Sequence, residues 1–121
     1  MTIEQQYPFG KVTIYDSYLV AVMKEGITVS PDLNAVLEQI SINFFPNKKF
    51  VYITHRLNSY SVDPNIYFKT SQISNLAGFA VVLGKKIVID NTELERAFLT
   101  KPFKAFEKLD DAILWAKQLT S

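Results

Sequence analysis

The 121-residue chain has no cysteine. That absence removes disulfide frameworks, zinc–thiolate sites, iron–sulfur clusters and thiol nucleophiles together. Histidine is almost as scarce, with His55 alone, so an imidazole-based metal centre lacks the several ligands it needs. The acidic residues Asp90, Glu93, Glu95, Asp110 and Asp111 fit helix starts better than a ligand cluster. No metal site and no cofactor are expected. Glycine occurs only at Gly10, Gly26, Gly78 and Gly84, too dispersed for a phosphate-cradling or dinucleotide loop, and no Gly-x-Ser-x-Gly elbow exists to present a serine nucleophile.

Long apolar runs are also missing. The longest, Tyr18–Met23, falls far short of the roughly 20 residues a membrane-spanning helix needs. The start, Met1-Thr2-Ile3-Glu4, lacks the basic and apolar regions of a signal peptide, so the expected location is the cytoplasm. Charge of one sign is lacking too: 13 Lys and Arg face 12 Asp and Glu, a formal net charge of +1. A nucleic-acid partner is not expected, because phosphate binding needs a net basic stripe.

What is present is a globular composition, 48% hydrophobic and 21% charged, of a length that suits one domain over residues 1–121. Lys11–Tyr15 alternates polar and apolar like a half-buried strand, Asp16-Ser17 makes a turn, and Tyr18–Met23 returns as its hairpin partner. The segment before Pro8 is suited to an edge strand. Ser30-Pro31 is a strong helix start, and Leu33, Val36, Leu37, Ile40 and Phe44 then fall on one helical face until Pro46-Asn47 ends it. Phe50–Thr54 and Gly78–Leu83 read as central strands and Phe103–Phe106 as a shorter one. Asp63-Pro64 opens a helix through about Ile73, Thr92–Glu95 matches a capping box, and Asp110-Asp111 caps a last helix carrying Ile113, Trp115, Ala116 and Leu119. Alternating strands and helices after a hairpin predict an α/β fold. Its strands are expected to pair in parallel through right-handed crossovers, with an antiparallel hairpin at one end. The many phenylalanines are expected mostly in the core, with an aromatic-lined ligand pocket as the alternative.

The stretch after the Phe50 strand is dense in donors and hydroxyls: Thr54, His55, Arg56, Asn58, Ser59, Tyr60 and Ser61. A parallel sheet brings this loop to its carboxyl edge, beside the start of the next helix. There Arg56 is expected to be exposed and able to hold an anion bidentately. His55 has no partner carboxylate nearby in sequence, so a catalytic base is not expected, and neither is an enzyme.

The hairpin, the Ser-Pro-capped helix, the stretch "FVYITHRLNSYSVDP" and the closing "KPFKAFEKLDDAILWAKQL" together resemble the SpoIIAA-like family of STAS/SEC14-like domains. The resemblance runs from Lys11 to Leu119. It implies an α/β fold with a mixed four- to five-stranded sheet and helices mainly on one face, and a non-catalytic regulator that binds a protein partner. In the anti-anti-sigma type, the switch is a phosphorylated serine directly after an aspartate at a helix start. Here the corresponding loop offers Ser59-Tyr60-Ser61, and the one Asp-Ser step, Asp16-Ser17, lies in the hairpin turn. The phosphoswitch is therefore not carried over, and Ser59 and Ser61 stand only as candidates. The function expected is a binding or regulatory module acting through a protein partner. The alternative is a protein that binds a small apolar or anionic ligand. An exposed edge strand or the hairpin also offers a route to a homodimer, which near-zero net charge does little to oppose.

Overall fold

The computed structural model describes residues 2–29, 32–58, 61–62, 69–83 and 101–121. Its elements in chain order are β1 (Ile3–Tyr7), β2 (Gly10–Ile14), β3 (Tyr18–Met23), β4 (Thr28–Val29), α1 (Asp32–Phe44), β5 (Phe50–Arg56), β6 (Ser61–Val62), β7 (Leu76–Leu83), β8 (Phe103–Phe106) and α2 (Leu109–Thr120). Six strands form the main sheet in the order β1-β2-β3-β5-β7-β8, while β4 and β6 form a small parallel ladder of their own. The α/β class is as expected, but among the described residues the sheet has six strands where four to five were expected. The additional strand is β1, the segment before Pro8, which pairs with β2 along its whole length.

β1, β2 and β3 run antiparallel, and β3, β5, β7 and β8 are parallel. Two-residue connections make both hairpins. Pro8-Phe9 follows the pair Tyr7↔Gly10, and Asp16-Ser17 is closed by the Tyr15 amide donating to Tyr18 O at 2.8 Å.

Strand alternation splits the apolar residues into two cores. On one face Val12, Leu19, Ala21, Met23, Phe50, Tyr52, Phe79 and Val81 meet Leu33, Leu37 and Ile40 of α1, with Val36 and Phe44 half-buried beside them. On the other, Val20, Val51, Ile53, Ala80 and Val82 meet Ala112 and Ala116 of α2, flanked by Ile113, Trp115 and Leu119. The two described helices thus lie on opposite faces, where helices mainly on one face were expected. The reason is topological. α1 is a crossover between neighbouring parallel strands and must follow the right-handed rule, whereas α2 follows the last strand of the sheet and is free to cover the bare face.

α1 ends as its sequence requires. Pro46 and Asn47 turn the chain, Asn47 takes the left-handed conformation at φ 56°, and the Lys48 amide donates to Phe45 O at 3.2 Å, a turn that favours Pro then Asn. At α2, Asp110 and Asp111 occupy the first helical turn and Lys108 holds the cap position without a side-chain cap bond. The acidic pair therefore acts on the helix dipole rather than as the cap. Ser30, Pro31 and the helices expected from Asp63-Pro64 and from Thr92 lie outside the described residues, apart from residues 69–73 at the end of the former. Among the described residues no helix is long and apolar enough to cross a membrane.

Candidate functional site

The parallel strands direct their carboxyl ends to one edge of the sheet, and of the residues expected to bind, Thr54, His55, Arg56, Asn58 and Ser61 lie at or just beyond the end of β5 there. They do not form a single exposed loop. β5 continues to Arg56 because β7 offers it a ladder as far as Leu83. His55 pairs with Val82 and Arg56 with Leu83, two residues beyond the last pairing with β3 at Ala21↔Thr54. Thr54 and Arg56 are accordingly buried, which corrects the expectation of an exposed arginine. His55, one residue away, is half-buried.

The pleat separates these side chains. Phe50 and Tyr52 belong to the α1 core and Val51 and Ile53 to the α2 core, so alternation assigns Thr54 and Arg56 to the α1 side and His55 to the α2 side. His55 therefore cannot share a pocket with Arg56 on one face. Partial burial pushes the His55 pKa below its ordinary 6.5, because desolvation disfavours the imidazolium. The neutral ring is the form favoured here.

Beyond Arg56 the chain turns sharply. The Leu57 amide donates to His55 O at 2.9 Å in a three-residue turn. Asn58 then reaches across to β3, its Nδ2 donating to Met23 O at 2.8 Å. Ser61 pairs with Thr28 and Val62 with Val29 in the β4–β6 ladder. The segment after β5 is thus tied on both sides to the segment that follows β3 and leads into α1. Ser59 and Tyr60 lie outside the described residues. Just ahead of these ties, between Arg56 at the end of β5 and Asn58, stands Leu57, 64% exposed, a residue passed over in a sequence reading that looked for polar groups. An apolar residue in a donor-rich stretch was the only signal available.

A second group was also missed. Asn34 in the first turn of α1 is buried, and it accepts a 2.6 Å hydrogen bond at Oδ1 from Thr70 Oγ1. Ser71 next to it is buried as well. With Thr54 and Arg56 they place buried polar groups on the α1 side, where each satisfied bond fixes geometry. Asn34 and Ser41 are seven residues apart within the buried face of α1, so a helical projection would have revealed a polar stripe there.

Elsewhere, a groove of about 370 Å³ runs beside α2, lined by Lys104, Phe106, Asp111, Leu114, Trp115 and Gln118. Phe106 and Trp115 meet at 5.7 Å between ring centroids, the Lys104 ammonium lies 5.4 Å from the centroid of Phe106, and Leu114 is 58% exposed. Among the described residues no group of His, Asp and Glu is arranged to hold a metal ion. Comparison with family models, with curated proteins and with solved structures finds no match to this chain.

Proposed function

We propose that this chain is a non-catalytic binding or regulatory module of the SpoIIAA-like, STAS type, which acts through a protein partner at the carboxyl edge of its sheet. The hairpin leading into parallel strands with α1 as the first crossover supports the family reading. The observation that carries the functional reading is the setting of Leu57. A lone exposed leucine is ordinary on a protein surface, but this one is held between Arg56, the last paired residue of β5, on one side and the Asn58 tie to Met23 on the other. A preorganised apolar residue loses little freedom on contact, which is what an interface anchor needs. The polar side chains around it point to opposite faces instead of converging on one reacting atom, which favours a surface contact over chemistry.

The test is affinity capture from the source cells with the wild-type chain and with Leu57→Asp. Capture of a defined partner that is lost in Leu57→Asp, with the melting temperature unchanged, is the expected result. The same partners on both baits would overturn the site.

The groove beside α2 supports a second reading, a small-molecule binder, since about 370 Å³ lies within the usual range of ligand sites. A thermal-shift screen of amphipathic and anionic metabolites separates the two. A ligand at about a hundred times its Kd stabilises the native state by roughly 2.7 kcal/mol, and Trp115→Ala should remove that shift if the groove is the site.

A further inference from the structure

The two edges of the sheet differ in how they are guarded. β8 is short, follows Pro102 directly and carries Lys104, all features that discourage strand addition. β1 is one residue longer and has neither the preceding proline nor the lysine. It is five residues long, Ile3-Glu4-Gln5-Gln6-Tyr7, with no proline, no lysine and an unbroken register against β2. Among the described residues nothing pairs with its outer side.

The direction of its free backbone groups follows from the ladder. The Lys24 amide donates to Phe9 O and the Tyr15 amide to Tyr18 O, both at 2.8 Å, so the odd-numbered residues of the β2 segment bond toward β3. The even-numbered Gly10, Val12 and Ile14 therefore bond toward β1, where they stand opposite Tyr7, Gln5 and Ile3. The amides and carbonyls of Glu4 and Gln6 are left facing outward.

We infer that β1 is a homodimer edge, pairing antiparallel with β1 of a second copy about a two-fold axis at Gln5. In this register Glu4 faces the second copy's Gln6, and Gln6 faces its Glu4. Each couple exchanges two backbone hydrogen bonds, and the outward groups of both residues are used. The side chains agree with the backbone. Gln6 already donates from Nε2 to Glu4 Oε1 within the strand at 3.2 Å, and across the axis the same amide–carboxylate pairing is made twice. No like charges are opposed. On the α1 side, half-buried Ile3 faces the second copy's half-buried Tyr7, so apolar surface is covered on that side. Pro8, which has no amide hydrogen, ends the ladder at both ends. The two-fold pairing uses the β1 edge of both copies, which closes the assembly at two. The proposal is independent of the partner site at Leu57, since it uses a different strand and a different edge.

The experiment is sedimentation of the untagged full chain from low to high micromolar concentration, together with amide hydrogen exchange. A reversible dimer is expected. Gln6→Glu places two like-charged pairs across the axis and should raise the dimer Kd about tenfold, whereas Gln6→Lys places opposite charges there and should leave it unchanged or lower it. Rising concentration should slow exchange at the Glu4 and Gln6 amides and leave Ile3, Gln5 and Tyr7, already bonded to β2, as they were. Both variants change an exposed side chain, and an unchanged melt of the diluted proteins confirms their folding. A monomer at every concentration, a dimer equally affected by both charges, or no change in exchange at Glu4 and Gln6 would each overturn the proposal.

Discussion

The two faces of the sheet are built from different materials. Under α1 the side chains are large: Phe45 and Phe50 stack at 4.7 Å between centroids, Tyr52 meets Phe79 edge-on at 4.9 Å, and Leu37, Met23 and Ile40 are fully buried. Under α2 they are small, with Ala80 on the sheet and Ala112 and Ala116 on the helix each completely buried. Gly78 takes this to its limit. The pairing of β5 with β7 jumps from Phe50↔Leu76 to Val51↔Gly78, so the extra residue Ala77 makes a bulge and turns Gly78 toward α2. A Cβ built there would lie 2.7 Å from Leu119 Cδ1 and 3.1 Å from Trp115 Cη2. One face is held by bulk and the other by close approach, and the two should fail in opposite ways.

The largest expected effect is on the bulky face. Phe50→Ala removes a fully buried ring and its stack with Phe45, and chemical denaturation should show a loss of about 3–5 kcal/mol. Leu37→Ala, on the helix side of the same core, should cost about 2–5 kcal/mol. A near-neutral result at both positions would mean that α1 is not seated on this face.

An intermediate effect is expected on the close-packed face, from adding atoms instead of removing them. Gly78→Ala should cost about 1–3 kcal/mol through overpacking. Adding Leu119→Ala removes the nearest atom, so the double variant should lose clearly less than the sum of the two single losses. Strict additivity would show that α2 does not press on Gly78.

The smallest effect belongs to His55, on the α2 side. Burial favours neutral His55, so its folded pKa lies below the unfolded value near 6.5. The unfolded chain then binds the proton more readily, and stability falls as pH drops through 6.5 toward the folded pKa. Above that window both states are neutral and the residue contributes no slope. Melting temperatures compared between pH 7.5 and pH 5 should decline slightly more in the wild type than in His55→Gln. An identical decline in both would place His55 in open water.

Periodicity made α1 and the central strands legible, because Leu33, Leu37 and Ile40 recur at helical spacing and Phe50–Thr54 is dense in β-branched and aromatic side chains. It did not reveal that β5 runs on through His55 and Arg56. Neither residue favours strands, and what extends them is the partner ladder Val82-Leu83, a tertiary fact. Nor could it choose a face for α2, since an amphipathic helix has the same pattern on either side of a sheet. Gly78 read as the strand's boundary because its purpose, room for Trp115 and Leu119, lies in an element more than thirty positions later. At the candidate site the eye for polar groups found Asn58, whose side chain ties the segment down, and missed Leu57, which that tie presents.

The spatial order β1-β2-β3-β5-β7-β8 is also the order of synthesis. Each strand leaving a ribosome finds its neighbour already made, so the sheet can grow by accretion from one side without waiting for a distant segment. The α1 core can close along the way, since its helix arrives between β3 and β5. The opposite surface cannot. Val20, Val51, Ile53, Ala80 and Val82 form an uncovered apolar strip that lengthens with every strand added, until residues 109–120 fold back across it. During that interval the described strands form a one-sided sheet, and a chaperone that recognises extended valine- and isoleucine-rich surface would find there a strip that α2 covers once it has folded back.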